Sequence, residues 1–425
     1  MRKYTVPVVT LFLLTLLSCS RREESEQKLH QMREEVLSNL ITNILPFWEI
    51  YSPDPSGGFY GTILNDGTPV ADAEKGLVLN ARILWAFSSA YRSFEVENYR
   101  QLADRAQKYL IDHFIDPEYG GVYWSVTSNG EPADTNKQTY GIAFAIYGLS
   151  EHYRATGNEN SLEHALDLYD ILLKMAYDRK DGGYIDTFTR NWRLPGQVDY
   201  ESLDPGPKTM NTQIHVLEAF TNLYRACPDN RIKKRLEDLV NLFCNEIINS
   251  ETNHQRLFFT KDCHYPEEVN SYAHDIEISW LLYEAAQTIG DESLIDRTKQ
   301  IAINLVETQL REAWTPEGYL LLEKSNGQPS SKIEWWPQAE AVVAFINAWQ
   351  LTGDPAYAHA ATTTWNWIRD NLVDHEYGEW YHSLDKNHMP ITTRPKANMW
   401  KCPYHNSRMA FETITRIQWK EENKP

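Results

Sequence analysis

In the stretch Ser271-Tyr272-Ala273-His274-Asp275-Ile276-Glu277-Ile278-Ser279-Trp280-Leu281-Leu282, a histidine stands at a predicted helix start, and the residues after it are mostly apolar. An unperturbed imidazole titrates at roughly 6.5, so a buried one beside a carboxylate can act as acid or base near neutral pH. The His-x-x-Glu spacing puts Glu277 one helical turn from His274, which suits fixing the tautomer and raising the basicity of that ring. Further polar residues interrupt other apolar stretches: Arg82, Tyr140, Asn211 with His215, Glu340, and His405. Two imidazoles on either side of one carbon can remove a proton from one face and return one to the other, with no metal and no redox cofactor. A guanidinium such as Arg82 would stabilise the anion formed between those steps, and one such donor is worth roughly 3–4 kcal/mol.

A repeat positions these residues. Gly57-Gly58-Phe59-Tyr60, Gly120-Gly121-Val122-Tyr123, Gly182-Gly183-Tyr184-Ile185, a degenerate Arg256-Leu257-Phe258-Phe259, Gly318-Tyr319-Leu320-Leu321 and Gly378-Glu379-Trp380-Tyr381 form one recurring signature. Its period is roughly 60 to 75 residues, and each copy reads as a tight turn opening a short hairpin. After each signature comes a nearly all-apolar helix, predicted at about 77–91, 138–155, 210–226, 274–289, 337–351 and 405–417. Helices apolar on all sides are internal. Amphipathic helices follow at about 99–114, 161–176, 232–248, 292–310 and 355–372, and the segment at about 28–50 supplies the sixth. Six inner and six outer helices define an all-α (α/α)6 barrel in one domain, residues 29–420, with short β-hairpins in the loops at one mouth. If the inner helices run parallel, these polar residues meet there. Each could instead be an isolated, satisfied core polar group, but their recurrence at corresponding places in successive repeats argues for a shared site.

The first residues have a different character. Arg2 and Lys3 precede an apolar run from Val6 to Leu17, the length of a signal-peptide core and too short for a bilayer-spanning helix. Residues 1–18 therefore read as an export signal. Leu16-Leu17-Ser18-Cys19 resembles a bacterial lipoprotein processing box, which makes Cys19 a candidate acylation site and residues 19–28 a lipidated tether. Export would place the chain at a bacterial membrane, on the periplasmic side or the cell surface.

Composition narrows the partners. With 42% hydrophobic residues, 24 Tyr and 14 Trp among 425, the chain can bury a large core, and the aromatic excess suits carbohydrate. A formal charge of −18 with no basic block argues against nucleic acid and anionic surfaces. Cys227, Cys244, Cys263 and Cys402 lack C-x-x-C spacing, so neither a zinc site nor a disulfide framework is indicated. A monomer is the expected state.

Three motifs carry a resemblance: the 272–282 stretch, Glu334-Trp335-Trp336-Pro337-Gln338-Ala339-Glu340, and Trp400-Lys401-Cys402-Pro403-Tyr404-His405-Asn406. Together they are similar to the motifs of bacterial cellobiose 2-epimerases, within the N-acylglucosamine 2-epimerase superfamily, over about residues 29–419. The resemblance implies that His274 and His405 exchange the proton at C2 of a reducing-end sugar and that His215 hydrogen-bonds the substrate. By the same resemblance Arg82 lies near the sugar oxygens, and Glu277 and Glu340 orient the histidines or assist ring opening. Tyr140 and Asn211 would contact the reacting sugar, and Trp336 and Trp400 would pack on sugar faces. Trp335 is a further stacking candidate, although it and Trp336 could equally be core at a helix start ahead of Pro337.

The expected substrate is a β-1,4-linked disaccharide such as cellobiose or mannobiose, epimerised through a cis-enediolate. Related readings are a monosaccharide or N-acylglucosamine 2-epimerase and an aldose-ketose isomerase. From other classes come an (α/α)6 glycosidase using Asp275, Glu277 or Glu340 as paired carboxylates, and a glycan-binding lipoprotein without activity.

Overall fold

The computed structural model describes residues 8–195, 208–257 and 269–418, with side chains from residue 22 onward. Helix α1 (Val8–Asn39), a π-helical turn (Leu40–Ile44) and α2 (Leu45–Tyr51) open the chain. Helix pairs follow: α3 (Leu77–Phe94) with α4 (Glu97–Tyr109), α5 (Thr139–Thr156) with α6 (Glu159–Met175), and α7 (Met210–Ala226) with α8 (Asn230–Leu242). Next are α9 (Tyr272–Ile289) with α10 (Glu292–Glu312), α11 (Trp335–Thr352) with α12 (Pro355–Trp367), and finally α13 (His405–Arg416). π-Helical turns Leu110–Phe114, Phe243–Ile247 and Ile368–Leu372 extend α4, α8 and α12 to the lengths expected from their apolar stripes.

The odd-numbered helices from α3 to α13 form the inner ring. Each packs on the next, and α13 returns to α3 and closes it. Outside them, α4 leans on α3, α6 on α5, α8 on α7 and α9, α10 on α9 and α11, and α12 on α11, while α1 covers α12 and α13. This is an (α/α)6 barrel. Side-chain caps start the outer helices cleanly: Asn158, Asp229, Asp291 and Asp354 each accept a backbone N–H from the first turn of α6, α8, α10 and α12.

Among the described side chains of α1, the first buried one is Leu29. The stretch expected as a tether is helical instead, because Glu24–Lys28 and Arg22–Glu26 pair one turn apart along the exposed surface of α1. Residues 1–7, the Cys19 side chain, Cys263 and residues 419–420 lie outside the described residues. Cys227, Cys244 and Cys402 are free thiols. Among the described residues no helix is long and apolar enough to cross a membrane.

The signature forms hairpins as expected. Pro53 bridges Phe59, Ile115 bridges Val122, Tyr177 bridges Tyr184, Trp314 bridges Leu320, and Val373 bridges Trp380. In the fourth unit Ile248–Asn249 pairs with His254–Gln255. That unit's turn is therefore centred on Asn253 (φ 56°), three residues before the predicted start at Arg256, with asparagine supplying the left-handed backbone that glycine supplies elsewhere. Phe258 and Phe259 lie outside the described residues.

Two devices fasten each hairpin to its helix. A lysine in the segment leading to the inner helix reaches back to an aspartate of its own hairpin: Lys75 to Asp54 at 2.7 Å, Lys137 to Asp116 at 2.8 Å, Lys208 to Asp178 at 2.7 Å, and Lys396 to Asp374. Removing one member of such a buried pair costs about 3–5 kcal/mol. The fourth and fifth units carry Asn249 and Thr315 at the aspartate position. There Val269–Asn270 is pinned by an antiparallel sheet with Lys324–Ser325 and Gln328–Pro329. Elsewhere the residues ahead of one inner helix pair with the next unit's hairpin, Lys75–Gly76 with Ser125–Val126 and Ile333–Glu334 with Ser383–Leu384, which locks neighbours together around the mouth.

Candidate active site

The inner helices present their N-terminal halves to one cavity of about 310 Å³, lined by Arg82 of α3, Tyr140 of α5, Asn211 and His215 of α7, His274 and Glu277 of α9, Trp335 and Trp336 of α11, and His405 of α13. Trp400, from the loop before α13, closes its outer side. A larger cleft of about 990 Å³ lies between α1 and the end of α13, away from this ring of polar groups.

Each of the three histidines is held through Nδ1. His405 contacts Glu340 Oε1 at 2.6 Å, His215 contacts Glu218 Oε2 at 3.0 Å, and His274 contacts Ser271 Oγ at 2.6 Å. Their Nε2 atoms are left to the cavity. Burial, reinforced by the charge of His215, pushes His274 down to about 3. Burial likewise carries His405 well below the ordinary histidine range, aided by the positive charges of Arg82 and Arg408. Both rings are neutral at pH 7. Trp336 lies against both, with ring centroids 5.0 Å from His274 and 5.4 Å from His405.

Beneath the histidines lies a guanidinium that the sequence reading did not single out. Arg408, one turn after His405 on α13, is 2% exposed and is surrounded by three carboxylates. Its Nη2 donates to Glu277 Oε1 at 2.7 Å and to Glu340 Oε1 at 2.6 Å, and its Nη1 donates to Glu218 Oε1. Tyr404 also donates to Glu218, and Trp280 Nε1 donates to Glu340 Oε2 at 3.0 Å. Burial alone would raise Glu218, yet Arg408 and the bond from His215 hold it down to about 2. Burial and the neighbouring Glu340 push Glu277 up to about 7. Glu340 is raised too, by burial.

This arrangement corrects one expectation. Glu277 does not hold His274: it binds Arg408, and it lies 4.0 Å from His405 Nδ1. On the helix surface the i,i+3 spacing brings two residues near each other, but the ring of His274 turns back to Ser271 at the helix start and the carboxylate turns inward to a cation. Asp275, a candidate for paired-carboxylate chemistry, faces away from the cavity and accepts from His254 Nδ1 at 2.7 Å and from the Gln255 backbone at 2.9 Å. Glu277, Glu340 and His405 could supply three metal-ligand atoms within 4.8 Å of one another, but Arg408 already fills the place of a cation between the two carboxylates.

Arg82 is fixed by donating to Tyr140 OH at 2.8 Å and to the Trp400 carbonyl at 3.1 Å, and its guanidinium carbon lies 4.2 Å from the Phe144 ring centre. Asn211 keeps a buried Oδ1 without a protein partner among the described residues, as a group waiting for a ligand hydroxyl would. Trp400 is 45% exposed and stands 5.9 Å from Tyr140 and 5.7 Å from Trp124, ring to ring, so a flat apolar face is available at the mouth. Trp335 is buried and packs edgewise on His382 at 4.8 Å and on His405 at 6.1 Å, whereas Trp336 lies against both His274 and His405.

Several neighbours escaped the sequence reading. Arg394 pairs with Glu334 at the mouth, beside His382, which burial and Arg394 push down to about 3. Glu379 sits at a left-handed position (φ 63°) where earlier repeats have glycine. Its carboxylate accepts from Trp48 Nε1 and Asn406 Nδ2, each at 2.6 Å, and pairs with Lys401, which anchors the loop carrying Trp400. A non-glycine residue in a glycine position of a repeat is the signal that could have found it.

The inner helix starts thus bring three imidazoles, a fixed guanidinium and aromatic rings to one cavity of the barrel. The chain belongs to the N-acylglucosamine 2-epimerase (GlcNAc 2-epimerase) family, matched over residues 58–407, and is a carbohydrate epimerase, an isomerase. It is similar to the cellobiose 2-epimerase of Bacteroides fragilis, with 41% identity over 387 residues, covering 90% of this chain and 98% of that one. The cellobiose 2-epimerase of Dictyoglomus turgidum is 40% identical over 390 residues, covering 91% and 99%. Among solved structures, cellobiose 2-epimerase from Bacillus thermoamylovorans superposes with a TM-score of 0.86 at 35% identity, covering 91% of this chain and 100% of that one.

Proposed function

We propose that this enzyme interconverts the C2 epimers of the reducing-end sugar of a β-1,4-linked disaccharide such as cellobiose or mannobiose. The observation that carries this reading is the pair His274 and His405, both neutral, both held by Nδ1, and both against Trp336 in one cavity. With the ring opened, one imidazole takes the C2 proton through Nε2 and the other returns a proton to the opposite face. Arg82 balances the negative charge that grows on O1 and O2 of the enediolate, and its bond to Tyr140 fixes it in place beforehand. His215, held by Glu218, and Asn211 hydrogen-bond the sugar hydroxyls. The distal sugar rests on Trp400 at the mouth, which favours a disaccharide over a monosaccharide.

The test is incubation of the purified protein with cellobiose, mannobiose and N-acetylglucosamine in deuterated water, followed by NMR at C2. Exchange and epimer formation on the disaccharides without cleavage is the expected result. New monosaccharide would mean hydrolysis, and exchange confined to N-acetylglucosamine would move the substrate class.

We also propose export through residues 1–18 and acylation of Cys19, supported by the charged and apolar pattern ahead of that cysteine. Mass spectrometry of the mature N-terminus checks it: an unmodified residue there overturns the lipid anchor.

A further inference from the structure

The carboxylates behind His405 are more than supports. Glu277 Oε1 and Glu340 Oε1 accept from the same nitrogen of Arg408, at 2.7 and 2.6 Å, so the two carboxyl groups lie side by side with a single shared donor between them. Both are 1% exposed. With Glu218 also in contact with Arg408, three ionised carboxylates around one guanidinium would leave a buried double negative charge, and one retained proton halves it. Glu218 is not the holder, because His215, Tyr404 and Arg408 all donate to it. The proton therefore falls to the other two.

We propose that Glu277 and Glu340 form a carboxyl dyad that keeps one shared proton in the resting enzyme and, through Glu340, lets His405 work as a neutral proton relay. This rests on the reading of His405 as a proton carrier at C2. When the dyad is loaded, the proton on Glu340 faces His405 Nδ1 and the ring carries its own proton on Nε2. As Nε2–H is delivered to C2, Nδ1 takes the proton from Glu340, so the imidazole changes tautomer and never holds a full charge. The C2 proton leaves the opposite face to His274, and the dyad is left empty. In the reverse direction His405 Nε2 takes the C2 proton while Nδ1–H passes to Glu340, and His274 gives its proton back. One proton leaves C2 and one arrives in each direction, with no oxidant or further reactant. Glu277 acts through its neighbour, as a positioning residue that raises the proton affinity of the pair.

The raised positions of Glu277 and Glu340 and the lowered position of His405 agree with this geometry: burial penalises all three charged forms, and the like charge adds to it for Glu277. The remaining charged or titratable groups that face the cluster are Arg408, Glu218, His215, Tyr404, Tyr140, His274 and Arg82.

The loaded and spent enzymes differ only in where one proton sits, so both directions share one alkaline limb, set by loss of that proton as pH rises through about 7. The experiment is a pH profile of kcat on cellobiose, in both directions, for the full chain and for Glu277→Gln and Glu277→Asp. In Glu277→Gln the remaining carboxyl loses its like-charged neighbour, and the limb moves down by about one pH unit or more, with kcat at neutral pH reduced about tenfold or more. Glu277→Asp restores the limb. A Glu277→Gln enzyme that is slower but keeps the wild-type limb overturns the dyad. Infrared difference spectroscopy of the wild-type protein is independent of how the variants fold: a protonated-carboxyl band at neutral pH that bleaches on alkalinisation supports the dyad, and its absence overturns it. If the wild-type protein fails to exchange C2, the proton-carrier reading falls, while the infrared band still reports on the dyad itself.

Discussion

His405 and His274 line the same cavity, yet the protein holds them differently. His405 leans on a carboxylate that is tied to Trp280 and Arg408, in a network that reaches Glu277 and Glu218. His274 leans on one serine hydroxyl at the start of its own helix. A carboxylate can receive or return a proton, whereas a hydroxyl only turns to suit whichever nitrogen is protonated. On the proposed mechanism the first histidine is coupled to a proton store, while the second carries the proton it takes as an imidazolium. The difference teaches that, if both rings serve as bases on one carbon as proposed, they need not be built alike, because each needs only to exchange a proton on its own face.

The strongest way to break the comparison is to delete each ring. His405→Asn or His274→Asn is expected to lower C2 exchange by about 10²–10⁴-fold while far-UV circular dichroism stays unchanged. Unimpaired turnover in either variant removes that residue as a proton carrier. A sharper cut exchanges only the partners. Glu340→Gln should lower kcat about 10²-fold, because the Nδ1 partner can no longer trade a proton, and Ser271→Ala should lower it about 5- to 10-fold, the value of one neutral hydrogen bond. Equal losses would mean the two supports are interchangeable. The smallest effect is expected outside the pair: Trp400→Ala raises KM for cellobiose several-fold with kcat nearly unchanged. The same rise with a monosaccharide would show that this ring does not hold the distal sugar.

What could be read in advance follows from what is local. The inner helices are legible because segments such as 341–346 are apolar on all faces, and the outer ones because of their stripes and their Asp and Asn caps. The turn signature located five hairpins and misplaced the fourth by three residues, since Asn253 takes a role that glycine fills elsewhere. His274, His405, His215 and Arg82 could be picked out because a charged or titratable side chain in an apolar helix is conspicuous. Their partners could not. Arg408 binds Glu218, Glu277 and Glu340 from three other helices, and no spacing along the chain encodes which carboxylate meets which cation. The assignment of Glu277 to His274 failed for that reason: sequence proximity on α9 lost to a charge arriving from α13.

The ring also has an order of assembly. Helix α13, the final strut of the inner wall, bridges α11 and α3 and is clasped from outside by α1, the first helix of the chain. It also delivers His405 and Arg408 together. A chain emerging from the ribosome therefore holds three mutually repelling acids over an unfilled seam until His405–Arg416 is available, a gap that α13 seals. Prematurely terminated products would be inert as well as unstable, so completeness of synthesis is a precondition for any chemistry.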